Sequence, residues 1–68
     1  MGIRWIKLNI HMKISEFENT EWGAGMLAII NDNILEIISV DFSTNEICVL
    51  YNGKSFWLPC CFVELVNN

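Results

Sequence analysis

Basic residues are scarce in this sequence. Its 68 residues contain four Lys and Arg against eight Asp and Glu, which gives a formal net charge of -4. A protein that binds the nucleic-acid backbone through charge needs clustered Lys and Arg. The four basic residues here, Arg4, Lys7, Lys13 and Lys54, are dispersed, so direct nucleic-acid binding is not expected. A surface this acidic is better matched to a basic protein partner, or it serves only to keep the protein in solution.

Cysteine and histidine are also few. The three cysteines are an odd number and two of them, Cys60 and Cys61, are adjacent. This is a poor framework for disulfides and favours a reducing, cytoplasmic location. Adjacent cysteines cannot easily share one tetrahedral zinc ion, so a site that combines them with Cys48 and His11 is not expected. We interpret His11 as a solvent-facing residue rather than as the base of a cysteine nucleophile.

Long apolar runs and catalytic motifs are absent from the sequence. No run approaches the roughly 20 apolar residues that span a bilayer, and the first residues lack the apolar core and cleavage site of a signal peptide. There is no Gly-rich phosphate loop, G-x-S-x-G elbow or H-E-x-x-H motif. We therefore expect one domain over residues 1–68, without metal, cofactor, membrane segment or enzymatic activity.

Strand-forming residues and turn signals dominate what is present. Asn52-Gly53 suits a type I′ hairpin because both residues accept positive φ. Strand-like runs flank it at Ile47–Tyr51 and Ser55–Leu58, and Pro59 should end the second strand because it has no N–H. Val63–Val66 can form one further short strand.

The middle of the chain follows the same pattern. Met26–Ile30 and Ile34–Phe42 are predicted strands, with turns at 31–33, Asn-Asp-Asn, and at 43–45, Ser-Thr-Asn. The second of these strands is apolar on both faces, as expected where a strand bends or contacts something outside. A helix over Met26–Ile38 is the alternative, but it would place three poor helix formers in its middle.

Apolar and polar residues alternate near the start of the chain, which predicts a strand over about Arg4–Ile14. A start at Met12 would make residues 1–11 an extension, but the alternation argues against it. The next segment, Ser15–Gly25, is polar and ends in two glycines, so it is predicted to be a long acidic loop or irregular hairpin.

The segment Phe56–Val63, Phe-Trp-Leu-Pro-Cys-Cys-Phe-Val, resembles the C-terminal signature of SH3 domains: a strand, a proline, a 3₁₀ turn, an aromatic residue and a valine that opens the last strand. This resemblance, together with the succession of short strands, implies an all-β, SH3-like small barrel of five to six antiparallel strands. It also implies that Pro59 and Phe62 line a groove, and that the acidic loop with Trp22 borders the same face. The Ala-Leu-Tyr-Asp-Tyr run and the Trp pair of SH3 domains are missing, so the resemblance supports the barrel more than proline-peptide binding.

These features predict a non-enzymatic, cytoplasmic protein-binding module with an aromatic and acidic surface. The predicted partner-binding residues are Glu16, Glu18, Glu21, Trp22, Trp57, Pro59 and Phe62. The competing interpretation is structural: Trp5 and Trp22 would cover the barrel ends. A second functional hypothesis is a small acidic inhibitor or accessory factor, of the kind that viruses and mobile elements encode, bound to a nucleic-acid-processing enzyme. A third is a homo-oligomer that hides surplus apolar surface.

Overall fold

A computed structural model describes residues 11–66 as one antiparallel five-stranded sheet with a short helix before it. The elements in chain order are α1 (Ile14–Asn19), β1 (Leu27–Ile30), β2 (Asn33–Asp41), β3 (Glu46–Tyr51), β4 (Lys54–Pro59), the 3₁₀ helix η1 (Cys60–Phe62) and β5 (Glu64–Leu65). The strand order is β4-β3-β2-β1-β5, so β4 and β5 are the edges of the sheet in this part of the chain. The all-β prediction is confirmed. Neither helix in the described range is long and apolar enough to cross a membrane.

Two tight turns each join the two strands of a hairpin, β1–β2 and β3–β4. Asn31 and Asp32 have φ of 50° and 66°, and Asn52 and Gly53 have φ of 51° and 76°. Positive φ at both central residues defines the type I′ geometry, whose twist matches that of the flanking strands. The predicted hairpins β1–β2 and β3–β4 are therefore confirmed, and the helix alternative over 26–38 is excluded by the β1–β2 pairing.

A β-bulge in β2 explains why that strand is apolar on both faces. The β2–β3 register shifts between Ile37, which pairs with Val49, and Ser39, which pairs with Cys48. The extra residue, Ile38, is exposed, whereas Ile37 is buried. A bulge reverses the alternation of side chains along a strand, so Val40 joins Ile37 in packing against the core.

The N-terminal prediction was wrong where the structure tests it. Residues 4–10 of the predicted Arg4–Ile14 strand lie outside the described range, 11–13 are not strand, and Ile14 begins α1. The segment predicted as an acidic loop, Ser15–Gly25, likewise opens with five helical residues. The main-chain N–H of Lys13 donates to the Glu16 carboxylate over 3.1 Å. Such a bond satisfies a free N–H at a helix start, which favours the helix over an extended strand.

The core lies between the concave side of the sheet, α1 and η1. Its buried members are Met12, Phe17, Ala28, Ile37, Ile47, Val49, Cys60 and Val63. Phe17 has no exposed surface, and its ring packs against the rings of Trp22 and Phe42, with centroid separations of 5.4 and 5.1 Å. Because α1 has only six residues, we attribute its stability mainly to the burial of Phe17.

Candidate binding site

A concave site opens between β4 and β1, strands that are separated by two others in the sheet order. We call it the β4–β1 cleft. Its volume is about 510 Å³, and it is lined by His11, Ile29, Asn31, Asp32, Leu58, Phe62 and Glu64. Ile29 belongs to β1 and Leu58 to β4. The sheet must therefore curl enough to bring these two strands to the walls of one cavity. A volume of several hundred Å³ is typical of sites that accept small ligands or side chains.

The 3₁₀ helix η1 presents the aromatic side chain of the cleft. Cys60, its first residue, is buried in the core, while Phe62, its last, is 53% exposed. Two main-chain bonds hold this turn in place: Cys60 N–H donates to the Asn45 carbonyl at 2.9 Å and Val63 N–H to the Cys60 carbonyl at 3.0 Å. An exposed aromatic ring on a fixed turn can contact a partner with little loss of conformational freedom.

Two carboxylates lie at the rim of the cleft. Asp32 is held there by the positive φ of the Asn31-Asp32 turn. Glu64 stands on β5 with its Oε1 3.8 Å from Nδ1 of His11, and both side chains are about half exposed, 52% and 40%. The main chain of His11 is anchored because its N–H donates to the Cys61 carbonyl over 3.1 Å. The rim can attract a cation, and Phe62, Leu58 and Ile29 supply apolar wall.

A smaller cavity of about 280 Å³ adjoins the cleft through His11 and Glu64, which line both. Glu16 of α1 and Thr20 line its other side. The Thr20 hydroxyl donates to the Glu16 carbonyl at 2.6 Å, which fixes the end of the helix beside the cavity. Two of the seven predicted binding residues therefore line these adjoining cavities: Phe62 lines the cleft and Glu16 lines the smaller cavity.

The other predicted residues occupy different places. Trp22 is half-buried and lines a separate groove of about 290 Å³ with Gly23, Ala24 and the bulged segment 37–40 of β2. Trp57 is 48% exposed and lies opposite Cys48. Pro59 ends β4, as predicted. Glu18 and Glu21 are exposed, on α1 and in the loop after it.

Cysteine and metal chemistry has little support in the described range. No three His, Cys, Asp or Glu side chains within residues 11–66 come together as a metal site. Cys48, Cys60 and Cys61 are all free thiols, the first two buried. Burial raises the pKa of the Cys60 thiol, and the neighbouring Cys61 raises it further. A raised pKa leaves less thiolate at neutral pH, so Cys60 is poorly suited to act as a nucleophile.

Comparison with known proteins gives no relative from which to transfer a function. No family model matches the chain, and neither a curated protein nor a solved structure is similar enough to match it. The residues of the cleft are therefore interpreted from their own geometry.

Proposed function

We propose that this chain is an SH3-like small barrel that acts as a non-enzymatic protein-binding module. The barrel is supported by the short connection between the edge strands. Five residue steps separate Pro59 from Glu64, a span of at most about 18 Å even for extended chain, and the 3₁₀ helix shortens it further. In a flat five-stranded sheet the edge strands would be about 19 Å apart, so the sheet has to curl toward closure.

The β4–β1 cleft is the proposed binding site, and its partner is a protein segment that inserts a Lys or Arg side chain. The observation that carries this proposal is the combination of an exposed aromatic ring, Phe62, with the rim carboxylates of Asp32 and Glu64. The methylene groups of Lys or Arg can pack on apolar wall while the charged head meets a carboxylate. Exposed aromatic anchors of this kind contribute much of the affinity at protein interfaces.

The charge of the described residues supports the same class of partner. All eight Asp and Glu lie within residues 11–66, where Lys13 and Lys54 are the only Lys or Arg, which leaves a formal charge of -6 with His11 neutral. Such a field accelerates the approach of basic partners and disfavours acidic ones. Basic segments should therefore be favoured already during their approach to the protein, before they contact the cleft.

The experiment is a peptide-display selection against the immobilised full chain, followed by affinity measurements on variants. We expect enrichment of peptides with Lys or Arg beside an apolar residue, and roughly tenfold weaker binding after Phe62→Ala or Glu64→Gln. Tyr51→Ala is the matched control, because Tyr51 is also an exposed aromatic, at 44%, but lies at the Asn52-Gly53 hairpin. Enriched peptides without basic residues, or an equal loss in Tyr51→Ala, would contradict the proposal.

The second candidate function, an acidic inhibitor or accessory factor of a nucleic-acid-processing enzyme, rests on the largely unpaired carboxylates. Among the described residues, the His11–Glu64 contact is the only one that brings a carboxylate close to a basic side chain. For this function we expect affinity for the enzyme to fall steeply with added salt and to weaken on charge reversal at Glu16, Glu18 or Glu21. Binding that is lost in Phe62→Ala but unchanged by charge reversal at Glu18 or Glu21 would favour the cleft instead.

A further inference from the structure

The edge strand β4 has one long side that no other strand covers within residues 11–66. It pairs with β3 alone, and its six residues carry a single charge, at Lys54. The opposite edge, β5, has only two residues and begins with a charged one, Glu64. Very short edges and edges that carry charges or Pro resist further strand pairing, whereas a longer uncharged stretch is a template for it; in β4 this stretch is Ser55–Leu58, between Lys54 and Pro59. The two edges of this sheet therefore differ in their capacity to pair.

The direction of the main-chain groups on β4 follows from the β3–β4 register. In a two-residue hairpin the residues that flank the turn, here Tyr51 and Lys54, exchange both hydrogen bonds, and such pairs alternate along the ladder. Just beyond the other end of β4, the N–H of Cys60 donates to the Asn45 carbonyl. Cys60 is even-numbered like Lys54, so this bond fits the same alternation. Even-numbered residues therefore bond to β3, and the N–H and C=O groups of Ser55 and Trp57 face outward with the carbonyl of Pro59.

We propose that two copies of the chain associate by antiparallel pairing of their β4 edges, about a two-fold axis at Trp57. Each Trp57 N–H then donates to the carbonyl of the partner's Trp57, and each Ser55 N–H to the carbonyl of the partner's Pro59. In this register every outward N–H of β4 has an acceptor. Pro59 has no N–H, but it occupies an outward-facing position, so the pairing with β3 loses no hydrogen bond.

The side chains of β4 favour a second copy over an unrelated strand. Phe56 and Trp57 are 45% and 48% exposed, and the two-fold register places Trp57 beside its own symmetry mate and Phe56 beside the partner's Leu58. Aromatic and aliphatic cross-strand pairs stabilise sheets. The two Lys54 side chains are six residues apart along the paired strands, about 20 Å, so their repulsion is screened.

The interface is too small for a permanent dimer. Two six-residue strands with two half-exposed aromatic residues each bury less than the roughly 1,200 Å² of stable interfaces. We therefore expect a reversible dimer with a dissociation constant of roughly micromolar to hundreds of micromolar. This inference does not rest on the function proposed for the cleft, but Leu58 of β4 also lines the cleft, so dimerisation and binding in the cleft should compete.

The test is sedimentation equilibrium of the full chain from about 0.5 µM to about 1 mM, a range chosen to bracket that constant. We expect a monomer–dimer equilibrium. Ser55→Pro removes an outward N–H and leaves the ladder to β3 intact, so it should weaken the dimer roughly tenfold or more. Ser55→Ala, which changes only the side chain, is the matched control and should dimerise like the unmodified protein. Circular dichroism establishes that both variants are folded.

Amide hydrogen exchange of the unmodified protein gives a second readout if Ser55→Pro does not fold. Protection of the Ser55 and Trp57 amides should rise with protein concentration, while the Phe56 and Leu58 amides, bonded to β3, are protected throughout. A monomer at the highest concentration would overturn the proposal. So would concentration-independent protection of Ser55 and Trp57, which would mean that residues 1–10 cover the edge, or a dimer that Ser55→Pro leaves intact.

Discussion

The indole Nε1 of Trp22 donates a hydrogen bond to the main-chain carbonyl of Phe17 over 3.0 Å. The same two residues pack their rings at 5.4 Å in a tilted geometry. The bond fastens the loop after α1 to the helix, and the ring contact covers one side of the most deeply buried aromatic residue of the core. Trp22 therefore has a structural role even though it also lines a surface groove.

Two substitutions at Trp22 should separate the bond from the packing. Trp22→Phe keeps an aromatic ring but loses the donor, and should lower the free energy of unfolding by about 0.5–1.5 kcal/mol. Trp22→Ala also removes ring contacts with Phe17, and should cost about 2–4 kcal/mol because the site is only half-buried. Urea unfolding followed by circular dichroism measures both. Glu21→Ala, at the exposed neighbouring position, is the control and should change stability little.

Equal losses in Trp22→Phe and Trp22→Ala would show that the hydrogen bond, and not ring packing, determines the role of Trp22. The expected loss in Trp22→Ala also bears on binding studies. Because this variant is destabilised, reduced binding by it would not identify a contact surface. Phe62→Ala is the better probe, since the Phe62 ring is exposed and should be removable at little cost in stability.

A substitution in the Asn31-Asp32 turn should stabilise the protein. Asp32 adopts φ of 66°, a left-handed conformation that costs free energy for a residue with a Cβ and almost none for glycine. Asp32→Gly should raise the free energy of unfolding by about 0.5–1 kcal/mol. The reverse change in the other hairpin, Gly53→Asp, should lower it by a similar amount. Thermal and urea unfolding of both variants check the prediction, and a loss of stability in Asp32→Gly would contradict it.

The carboxyl group of Asp41 should contribute to acid sensitivity. The Ser43 hydroxyl and main-chain N–H both donate to Oδ1 of Asp41, and these bonds hold the pKa of Asp41 below its ordinary value. A group whose pKa is lowered by folding stabilises the protein above its unfolded pKa, and that contribution is lost as the pH falls through the folded pKa. The loss should therefore begin below about pH 4.

Ser43→Ala isolates the larger of these two interactions. It removes the hydroxyl donor and keeps the N–H, so the pKa of Asp41 should rise part of the way to its ordinary value. An NMR titration of the Asp41 carboxyl carbon measures the shift directly. Ser55→Ala, on a distant strand, should leave the titration unchanged. A titration that is the same with and without the Ser43 hydroxyl would show that the N–H alone lowers the pKa.

Much of the sheet was predictable because its signals are local. The Asn52-Gly53 pair and Pro59 each specify their own backbone geometry, and the strands between such signals have few alternatives. The alternation through Ile14 was misleading because it continued into residues that form α1. A local signal did exist: Glu16 is spaced to accept the N–H of Lys13, as the first turn of a helix requires.

The cleft was only partly predictable. Phe62 was expected in a groove because of the resemblance of Phe56–Val63 to the SH3 signature, whereas Asp32 and Glu64 were not among the predicted binding residues. Both line the cleft because β5 pairs with β1, with Glu64 opposite Ile29 and therefore near the β1–β2 turn, and this pairing joins segments that are far apart in the sequence. The spacing of residues along the chain does not show which distant strands will pair. For the same reason the separate locations of Trp22 and Phe62 were not foreseen.

Adjacent cysteines in η1 should differ sharply in reactivity. Cys60 belongs to the core, and Cys60 and Cys48 each have 3% of their surface exposed, whereas Cys61 is only half-buried. Burial restricts access to Cys60 and raises the pKa of its thiol, so both access and thiolate fraction oppose its reaction. We expect iodoacetamide to modify Cys61 at least roughly tenfold faster than Cys48 or Cys60.

Intact-mass and peptide mass spectrometry over time would measure the three rates. The native protein should show one fast addition, at Cys61, and the variant Cys61→Ser should lose it. In urea all three thiols should react at similar rates, because burial then no longer distinguishes them. Rapid modification of Cys60 in the folded protein would show that η1 opens easily. Since η1 supplies Phe62 to the cleft, that outcome would also mean that the proposed binding site is not held rigidly before a partner arrives.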